Sequence, residues 1–245
     1  MSDDRWIQLG HPSYVWRFGQ ERRLSLVRRY VPLEGKRILD VGCGLGTYVE
    51  QFCRFTTEAY GVDVDPARVA RASEKLPNIQ LASAECLPYP DATFDVVFSN
   101  EVIEHVGNDR QAIAEAVRVT RDGGHVVIYA PNRLYPFETH GAYFGNRFVF
   151  RLIPLVNYLP DRLRNRFCPH VRAYTSGVIR SLFDGLPAEI VVHSYVYPGF
   201  DNIVERRPVL GRVLRGACYV LEEGPLRVFG LSHFIVARVR RPSGS

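Results

Sequence analysis

Apolar residues along this chain follow two alternating patterns. Compact apolar runs bounded by turn residues are typical of buried strands, and apolar residues spaced three or four positions apart are typical of helices. The first pattern predicts strands at residues 37–42, 58–63, 79–83, 94–99, 124–130 and 232–239. The second predicts helices at residues 46–55, 66–75, 108–121 and 209–221. Because strands and helices alternate, we expect an α/β chain whose parallel sheet carries helices on both faces.

The most informative local feature is the turn that follows the first predicted strand, which contains Gly42, Gly44 and Gly46. Glycine tolerates a tight turn and lets a ligand lie directly against the backbone. The turn leads into the amino end of a helix, where free N–H groups favour a carboxylate or a phosphate. The G-x-G-x-x-G spacing of pyridine-nucleotide proteins and the Gly-Lys-Ser/Thr of a P-loop are both absent. The turn therefore indicates a nucleotide-like ligand of another kind.

A carboxylate follows at the end of the second predicted strand. Asp63 stands about 20 residues after the first glycine, the spacing of a ribose-binding carboxylate in dinucleotide-type folds. Pro66 comes three residues later, where proline is favoured at the first position of a helix. Asp63 could therefore bind a ribose or cap this helix, and the combined pattern favours the ribose.

Four blocks in this order resemble the class I S-adenosylmethionine-dependent methyltransferases, and they read LDVGCGLG, GVDVD, AECLPYPDATFDVVFSNEVIEHV and GGHVVIYAPN. They are most similar to the branch (methyltransferase type 11) that includes the ubiquinone/menaquinone and other small-molecule methyltransferases. The resemblance covers residues 37–132. It implies S-adenosyl-L-methionine as the cofactor and a single domain over residues 1–245. The implied fold is a Rossmann-like, doubly wound, seven-stranded sheet, mostly parallel, with an antiparallel last strand at 232–239.

The same resemblance assigns roles to individual residues. The loop at 40–46 would face the methionine moiety, and Asp63 would bind both ribose hydroxyls. Val64 would pack on the adenine. The other cofactor residues that the resemblance implies are Asp40, Gly42, Gly44 and Gly46 in the loop, Ala84 and Glu85 at the polar edge of the adenine, and Ser99, Asn100 and Glu101 beside the sulfonium and the substrate. Asn100 and Glu101 could instead cap the helix that follows them.

The N-terminal arm at 1–30 is rich in aromatic and basic residues. By analogy with related enzymes, such an arm forms helices that close over the cofactor. Tyr14 and Arg17 are the candidate contacts to the methionine carboxylate. The aromatic side chains Trp16 and Phe18 could instead pack the arm against the sheet edge.

Two further segments are longer than their connections require, at 132–172 and at 198–230. We interpret both as insertions that form a lid and a substrate pocket. Within the first, His140 is the leading candidate for a general base, since a histidine two residues from Glu138 in an irregular insertion has few structural reasons to exist. His105 is the second candidate, although it could also serve helix packing. His170 and Asp201 rank behind them.

Composition narrows the acceptor. The chain is 46% hydrophobic with a net charge of +5, and it has no dense basic tract with interleaved aromatics, so we expect no nucleic-acid partner. Residues 99–101 also lack the Asn/Asp-Pro-Pro-Tyr/Phe motif of many nucleic-acid methyltransferases. We expect a small-molecule acceptor, methylated on oxygen, of a hydrophobic, lipid-like, glycan or natural-product class. A nucleic-acid methyltransferase and an inactive cofactor-binding scaffold are the alternatives.

Location and partners follow from the remaining features. Five cysteines without C-x-x-C spacing argue against a zinc site or a disulfide framework, and the amino terminus has no apolar signal-peptide core. We therefore expect a cytoplasmic protein without a bound metal. The segment at 147–166 is apolar and flanked by arginines, which fits either peripheral membrane contact or an ordinary lid. The pattern leaves the oligomeric state open.

Overall fold

The computed structural model describes residues 17–241, the Asn202 side chain excepted. Seven strands form the main sheet, and they are β1 (Ile38–Val41), β2 (Ala59–Asp63), β3 (Ile79–Leu81), β4 (Phe94–Asn100), β5 (Thr120–Pro131), β6 (Ala188–Val196) and β7 (Ser232–Val239). The helices are α1 (Phe18–Tyr30), α2 (Thr47–Phe52), α3 (Pro66–Ser73), α4 (Asp109–Val119), α5 (Asp161–Phe167), α6 (Ser176–Ser181), α7 (Asp201–Arg206) and α8 (Pro208–Glu223).

The strands lie in the order β6-β7-β5-β4-β1-β2-β3. β1 pairs in parallel with both β2 and β4, while β7 runs antiparallel to both β5 and β6. This confirms the predicted seven-stranded, mostly parallel sheet with a reversed last strand. Because the strand order changes direction between β1 and β4, a crevice opens beyond their carboxyl ends. The candidate site lies there.

Alternation along each strand builds two hydrophobic cores, one on each face of the sheet. In β1, Leu39 packs with α4 and α6 on one face, whereas its neighbour Ile38 packs with α1, α2 and α3 on the other. In β4, Val97 and Val96 divide between the two faces in the same way. Successive side chains of a strand point to opposite faces, so a strand covered on both sides has to be apolar throughout.

The boundary between α4 and β5 differs from the prediction. The helix ends at Val119 and the strand begins at Thr120, so the expectation that the helix extends to residue 121 and stops at the glycine pair after it is wrong. Thr120 pairs with Phe94 of β4 before a register shift, and its hydroxyl donates to the Ala116 carbonyl. Pairing with β4 therefore ends the helix at Val119, before the two glycines that follow.

The insertion at 132–172 contains two small antiparallel strand pairs, a short 3-10 helix and α5. Its apolar side chains form a separate small core of Ala142, Val156, Cys168 and Val171. This segment is thus a small packed unit on the main sheet rather than an extended apolar loop.

The second insertion, at 198–230, consists of α7, α8 and a short 3-10 helix. It packs against the N-terminal helix α1. Arg22 of α1 forms an ion pair with Glu222 of α8, and the Gly19 amide donates to the Asp201 carboxylate at 3.2 Å. These two contacts fasten the arm to the insertion.

Within residues 17–241, no helix combines the length and the apolar character required to cross a bilayer.

Candidate functional site

The glycine turn after β1 has the strained backbone that its sequence predicts. The φ values are +75° at Gly42, +57° at Gly44 and +79° at Gly46. Residues other than glycine rarely adopt this left-handed backbone conformation. A Cβ on Gly42 would also collide with the Val102 side chain, and one on Gly46 with Leu76. The loop can therefore keep its shape only with glycine at these positions.

Asp63, at the end of β2, holds this loop in place. Its Oδ2 accepts a hydrogen bond from the Gly44 amide at 2.8 Å, and its Oδ1 accepts one from the Asp65 amide at 2.9 Å. Each carboxylate oxygen keeps a second lone pair for a ligand hydroxyl. The helix cap of α3 is Asp65, whose side chain accepts from the amides of Ala67 and Arg68. The alternative role of Asp63 as this cap is therefore wrong.

The surroundings of Asp63 fit a nucleoside. Val64, the next residue, is 68% exposed, so an apolar surface lies bare beside a carboxylate that can bind a ribose. Ser99, at the carboxyl end of β4, has a buried hydroxyl that meets no hydrogen-bond partner among the described residues. The unsatisfied Ser99 hydroxyl calls for a hydrogen-bond partner that the described residues do not supply.

Asp40 lies in β1 immediately below the turn and is buried. Burial, followed by the nearby charge of Asp63, raises the pKa of Asp40 well above its usual value. Its carboxyl group therefore keeps its proton to a higher pH than an exposed aspartate does.

The residues predicted at the polar edge of the adenine follow β3. Ala84 is half-buried, and the Glu85 carboxylate accepts a hydrogen bond from the Asn108 amide at 2.6 Å. The Asn108 side chain in turn caps α4 by accepting from the Gln111 amide. The alternative in which Asn100 or Glu101 caps this helix is therefore wrong.

Asn100 and Glu101 instead meet the N-terminal helix. Both side chains accept hydrogen bonds from Arg23 of α1, and the Arg23–Glu101 distance is 2.8 Å. Glu101 also accepts a 2.6 Å hydrogen bond from Ser232 of β7. Burial opposes ionisation of Glu101, but Arg23, the Ser232 hydroxyl and His140 together hold its pKa below the usual range. Glu101 is therefore an anion at neutral pH, at the place where the sulfonium is expected.

Both histidine candidates lie close to Glu101. Three side-chain atoms lie within 4.8 Å of one another, namely a carboxylate oxygen of Glu104 and one ring nitrogen each of His105 and His140. This spacing suits proton sharing and would also admit a cation. Burial, and then the charge of Glu101, raises the pKa of Glu104 well above its usual value, while burial and His140 lower the pKa of His105 to about 4. At neutral pH the His105 imidazole is therefore neutral, and Glu104 keeps its proton to a higher pH than an exposed glutamate does.

His140 is held from behind by Glu138. The Glu138 Oε1 atom lies 2.9 Å from His140 Nδ1, and Oε2 accepts a 2.8 Å hydrogen bond from Arg164 of α5. His170 also contacts this unit, since its Nε2 donates to the His140 carbonyl at 3.3 Å. The structure thus brings His140, His105 and His170 together.

Asp201, the remaining candidate base, lies apart from this cluster. Its two oxygens accept hydrogen bonds from the Gly19 amide and from Arg215. It joins the N-terminal helix to the second insertion. Arg17 stands at the N-cap of α1, and its amide donates to the Gln20 side chain. Tyr14 lies outside the described residues.

Sequence reasoning did not single out four side chains of this site, which are Arg23, Glu104, Arg164 and Ser232. Glu104 was visible only as part of the block that ends in Glu-His-Val. Ser232 was visible only as the first residue of a predicted strand. The two arginines had no distinguishing local signal, because other arginines flank both of them.

Comparison with known proteins agrees with this geometry. Residues 39–128 match the family model described as a methyltransferase domain. A probable S-adenosylmethionine-dependent methyltransferase of Mycolicibacterium smegmatis is 34% identical over 102 residues, which cover 41% of this chain and 40% of that protein. A ubiquinone biosynthesis O-methyltransferase of Nitrosococcus oceani is 33% identical over 139 residues, covering 54% of this chain and 58% of the relative. The chain thus spans about half the length of these curated relatives.

Among solved structures, an S-adenosylmethionine-dependent methyltransferase from Mesorhizobium loti superposes with a TM-score of 0.59 at 19% sequence identity. The superposition covers 88% of this chain and 96% of that one, so the two proteins share a fold. Residues 39–128 are thus similar in sequence to a methyltransferase domain, and the chain shares the fold of the Mesorhizobium loti methyltransferase.

Proposed function

We propose that this protein transfers the methyl group of S-adenosylmethionine to an oxygen atom of a small, hydrophobic acceptor. The observation that carries the proposal is the meeting of two features at one edge of the sheet. The glycine loop fastened by Asp63 lies beyond β1 and β2, and a cluster of Glu101, Glu104, His105 and His140 lies beyond β4. The first feature suits the cofactor and the second suits an acceptor hydroxyl.

The cofactor would occupy the crevice from the glycine loop to Glu101. Asp63 would accept hydrogen bonds from the ribose hydroxyls, with the adenine on Val64 between Ala84 and Glu85. The loop at 40–46 would face the methionine moiety. Ser99, Asn100 and Glu101 would border the sulfonium, and Arg17 would stand near the methionine carboxylate at the start of α1.

When bound, S-adenosylmethionine supplies a methyl group that is already activated by its positive sulfur. The protein therefore has to hold the acceptor oxygen in line with that methyl group and keep water away. Glu101 offers an anion at the carboxyl end of β4. His140, two residues from a buried carboxylate, is placed to take the acceptor's hydroxyl proton as the new oxygen–carbon bond forms.

The acceptor would enter beneath the insertion at 132–172. That segment contributes His140 and carries exposed apolar side chains, which suits a quinone-like or other lipid, a glycolipid or a hydrophobic natural product. The match to ubiquinone biosynthesis O-methyltransferases supports oxygen as the methylated atom. The competing proposals are an inactive cofactor-binding scaffold and a nucleic-acid methyltransferase.

We also propose that the protein works in the cytoplasm with residues 147–166 touching a membrane surface, from which a lipid-like acceptor could be taken. Leu152 and Leu155 in this segment are 61% and 60% exposed. The side chains of Arg151 and Arg162 are exposed on either side of them. Exposed leucines among arginines suit the interface of an anionic membrane.

The first test is isothermal titration of the purified protein with S-adenosylmethionine and, in parallel, with NADH. Binding of S-adenosylmethionine alone at micromolar concentration is expected. Binding of NADH instead would overturn the cofactor assignment. Transfer of radiolabel from methyl-labelled S-adenosylmethionine to alkylated catechols and hydroquinones then tests the acceptor class, with a transfer-RNA pool as the comparison. Cofactor binding without transfer to any acceptor would favour the scaffold, and labelled RNA would favour the nucleic-acid alternative.

A further inference from the structure

Arg164 of α5 is an arginine whose side chain is only 1% exposed, inside the small insertion at 132–172. Its guanidinium donates to Asn157 Oδ1 at 3.1 Å, to the Val171 carbonyl at 2.8 Å and to Glu138 Oε2 at 2.8 Å. Removing such a charge from water is costly, and a surface ion pair would stabilise the fold more cheaply. We therefore interpret Arg164, whose guanidinium is held by three hydrogen-bond acceptors, as a residue that fixes the position of one of those acceptors.

The group that it holds is Glu138, whose side chain is 3% exposed. The Oε1 atom of Glu138 accepts from the amides of Thr139 and His140, both at 2.9 Å, and lies 2.9 Å from His140 Nδ1. Burial opposes ionisation of Glu138, but the hydrogen bonds and charge of His140 and the charge of Arg164 bring its pKa to about 2. The carboxylate is thus ionised at neutral pH.

An ionised carboxylate against Nδ1 determines the proton position on His140. A carboxylate only accepts hydrogen bonds, so Nδ1 has to carry the proton of the neutral ring, and Nε2 keeps its lone pair. A ring nitrogen of His140 lies within 4.8 Å of both Glu104 and His105. The ring therefore stands between Glu138 on one side and the cluster beyond β4 on the other.

We propose that Arg164 and Glu138 are positioning residues that fix the orientation and tautomer of His140, so that Nε2 accepts the proton of the acceptor hydroxyl. This inference rests on the proposed function. In the step concerned, the acceptor oxygen bonds to the methyl carbon while the sulfur–carbon bond breaks, and its electron pair returns to sulfur. The hydroxyl proton moves to Nε2 and later leaves to water.

The carboxylate of Glu138 stabilises the imidazolium that this step creates. Other charged or titratable groups also face the ring. Glu101 and Glu104 approach from the end of β4, with His105 beside them, and His170 approaches from the segment after α5. Two groups contact Nδ1, Glu138 at 2.9 Å and the Thr139 hydroxyl at 3.5 Å. Glu138 is the closer and the charged one, so its removal should change the His140 tautomer more than the removal of any other neighbour.

The test is ¹⁵N NMR of the full chain labelled at histidine, with the His140 signals assigned by their loss in His140→Gln. In the native protein, the neutral ring is expected to carry its proton on Nδ1. In Glu138→Gln, the ring should populate both tautomers, because the neutral amide no longer requires the proton on Nδ1. Glu138→Asp, which keeps a carboxylate, should restore most of the Nδ1-protonated tautomer.

Arg164→Lys and Arg166→Lys form a matched pair on the same helix. Arg166 is exposed, so its substitution should leave the His140 signals unchanged, whereas Arg164→Lys should loosen the tautomer preference. If Arg164→Lys fails to fold, the tautomer of His140 in Glu138→Gln still tests the positioning role. A native His140 protonated on Nε2, or the same tautomer ratio in the native protein and Glu138→Gln, overturns the positioning role.

Failure of the proposed function would look different. Full methyl transfer by His140→Gln would overturn His140 as the base, whatever tautomer the NMR spectra show. Loss of transfer in His140→Gln, combined with an unchanged tautomer in Glu138→Gln, would overturn the positioning role alone.

Discussion

The guanidinium of Arg23 lies 2.8 Å from the carboxylate of Glu101, and this ion pair joins the N-terminal helix to the carboxyl end of the fourth strand. The Arg23 side chain is 13% exposed. We expect Arg23→Met to lower the free energy of unfolding by about 1.5 to 3 kcal/mol, because it removes charge-assisted hydrogen bonds from Glu101, whose side chain is 24% exposed. Urea unfolding followed by circular dichroism measures this loss.

Arg28→Met in the same helix is the control. Arg28 pairs with Glu34 at 3.6 Å in an exposed position, so its loss should cost no more than about 1 kcal/mol. Equal losses in the two variants would contradict a structural role for the Arg23–Glu101 pair.

Asp63→Ala should weaken the binding of S-adenosylmethionine by roughly 1.5 to 3 kcal/mol, the range for hydrogen bonds to a charged group. Isothermal titration measures the change. Asp65→Ala is the matched comparison two residues away, since it removes a helix cap at a cost of about 1 kcal/mol in stability. Affinity should fall only in the first variant. Native affinity in Asp63→Ala would remove the proposed ribose contact.

Acid should destabilise the fold through a pair of histidines on the neighbouring strands β6 and β7. His193 Nε2 lies 3.0 Å from His233 Nδ1, and His233 Nε2 donates to the Tyr174 carbonyl. Burial, followed by His233 and Arg180, lowers the pKa of His193 to about 4. Burial also lowers the pKa of His233. Arg227 faces His193 as well and acts in the same direction.

An unfolded histidine titrates near pH 6.5, at about its unperturbed pKa. Between roughly pH 6.5 and 4, the unfolded chain therefore binds more protons than the folded one, so the free energy of unfolding falls as the pH is lowered through this window. Urea midpoints at pH 7.0, 5.5 and 4.5 follow the change, and His193→Gln should flatten it. A slope that is the same in His193→Gln and the native protein would assign the effect to other groups.

The proposed membrane contact predicts a local effect of apolar side chains. Leu152→Ser combined with Leu155→Ser should reduce partition onto phosphatidylglycerol vesicles at least about tenfold, because burial of one leucine side chain contributes about 1.5 to 3 kcal/mol. Val209→Ser with Val213→Ser is the control, since these valines are also exposed but lie on α8. Co-sedimentation at physiological salt distinguishes the pairs. Equal losses, or no binding by the native protein, would contradict contact through 147–166.

The sheet could be predicted from the sequence because its strands are buried on both faces and therefore apolar throughout. The last strand spans residues 232–239, as predicted, and the glycine turn and Asp63 stand where the motif spacing puts them. The end of α4 was mispredicted because pairing of Thr120 with β4 overrides a local glycine signal.

The organisation of the insertion at 132–172 could not be predicted in the same way. Its five flanking arginines, of which Arg164 is one, look alike in the sequence, and only the folded chain distinguishes the buried one from those at the surface. Arg23 presents the same difficulty among the arginines of the N-terminal arm. Contacts with residues distant in the sequence determine which arginine of each group is buried, and the local sequence does not show which one it is.

Helix α1 is fastened to α8 through Arg22 and Glu222, and to α7 through Gly19 and Asp201. It also reaches the end of β4 through Arg23 and Glu101. A movement of α1 away from the end of β4 would therefore carry the second insertion with it. Under the proposed function, release of the spent cofactor and release of the methylated product would then be coupled.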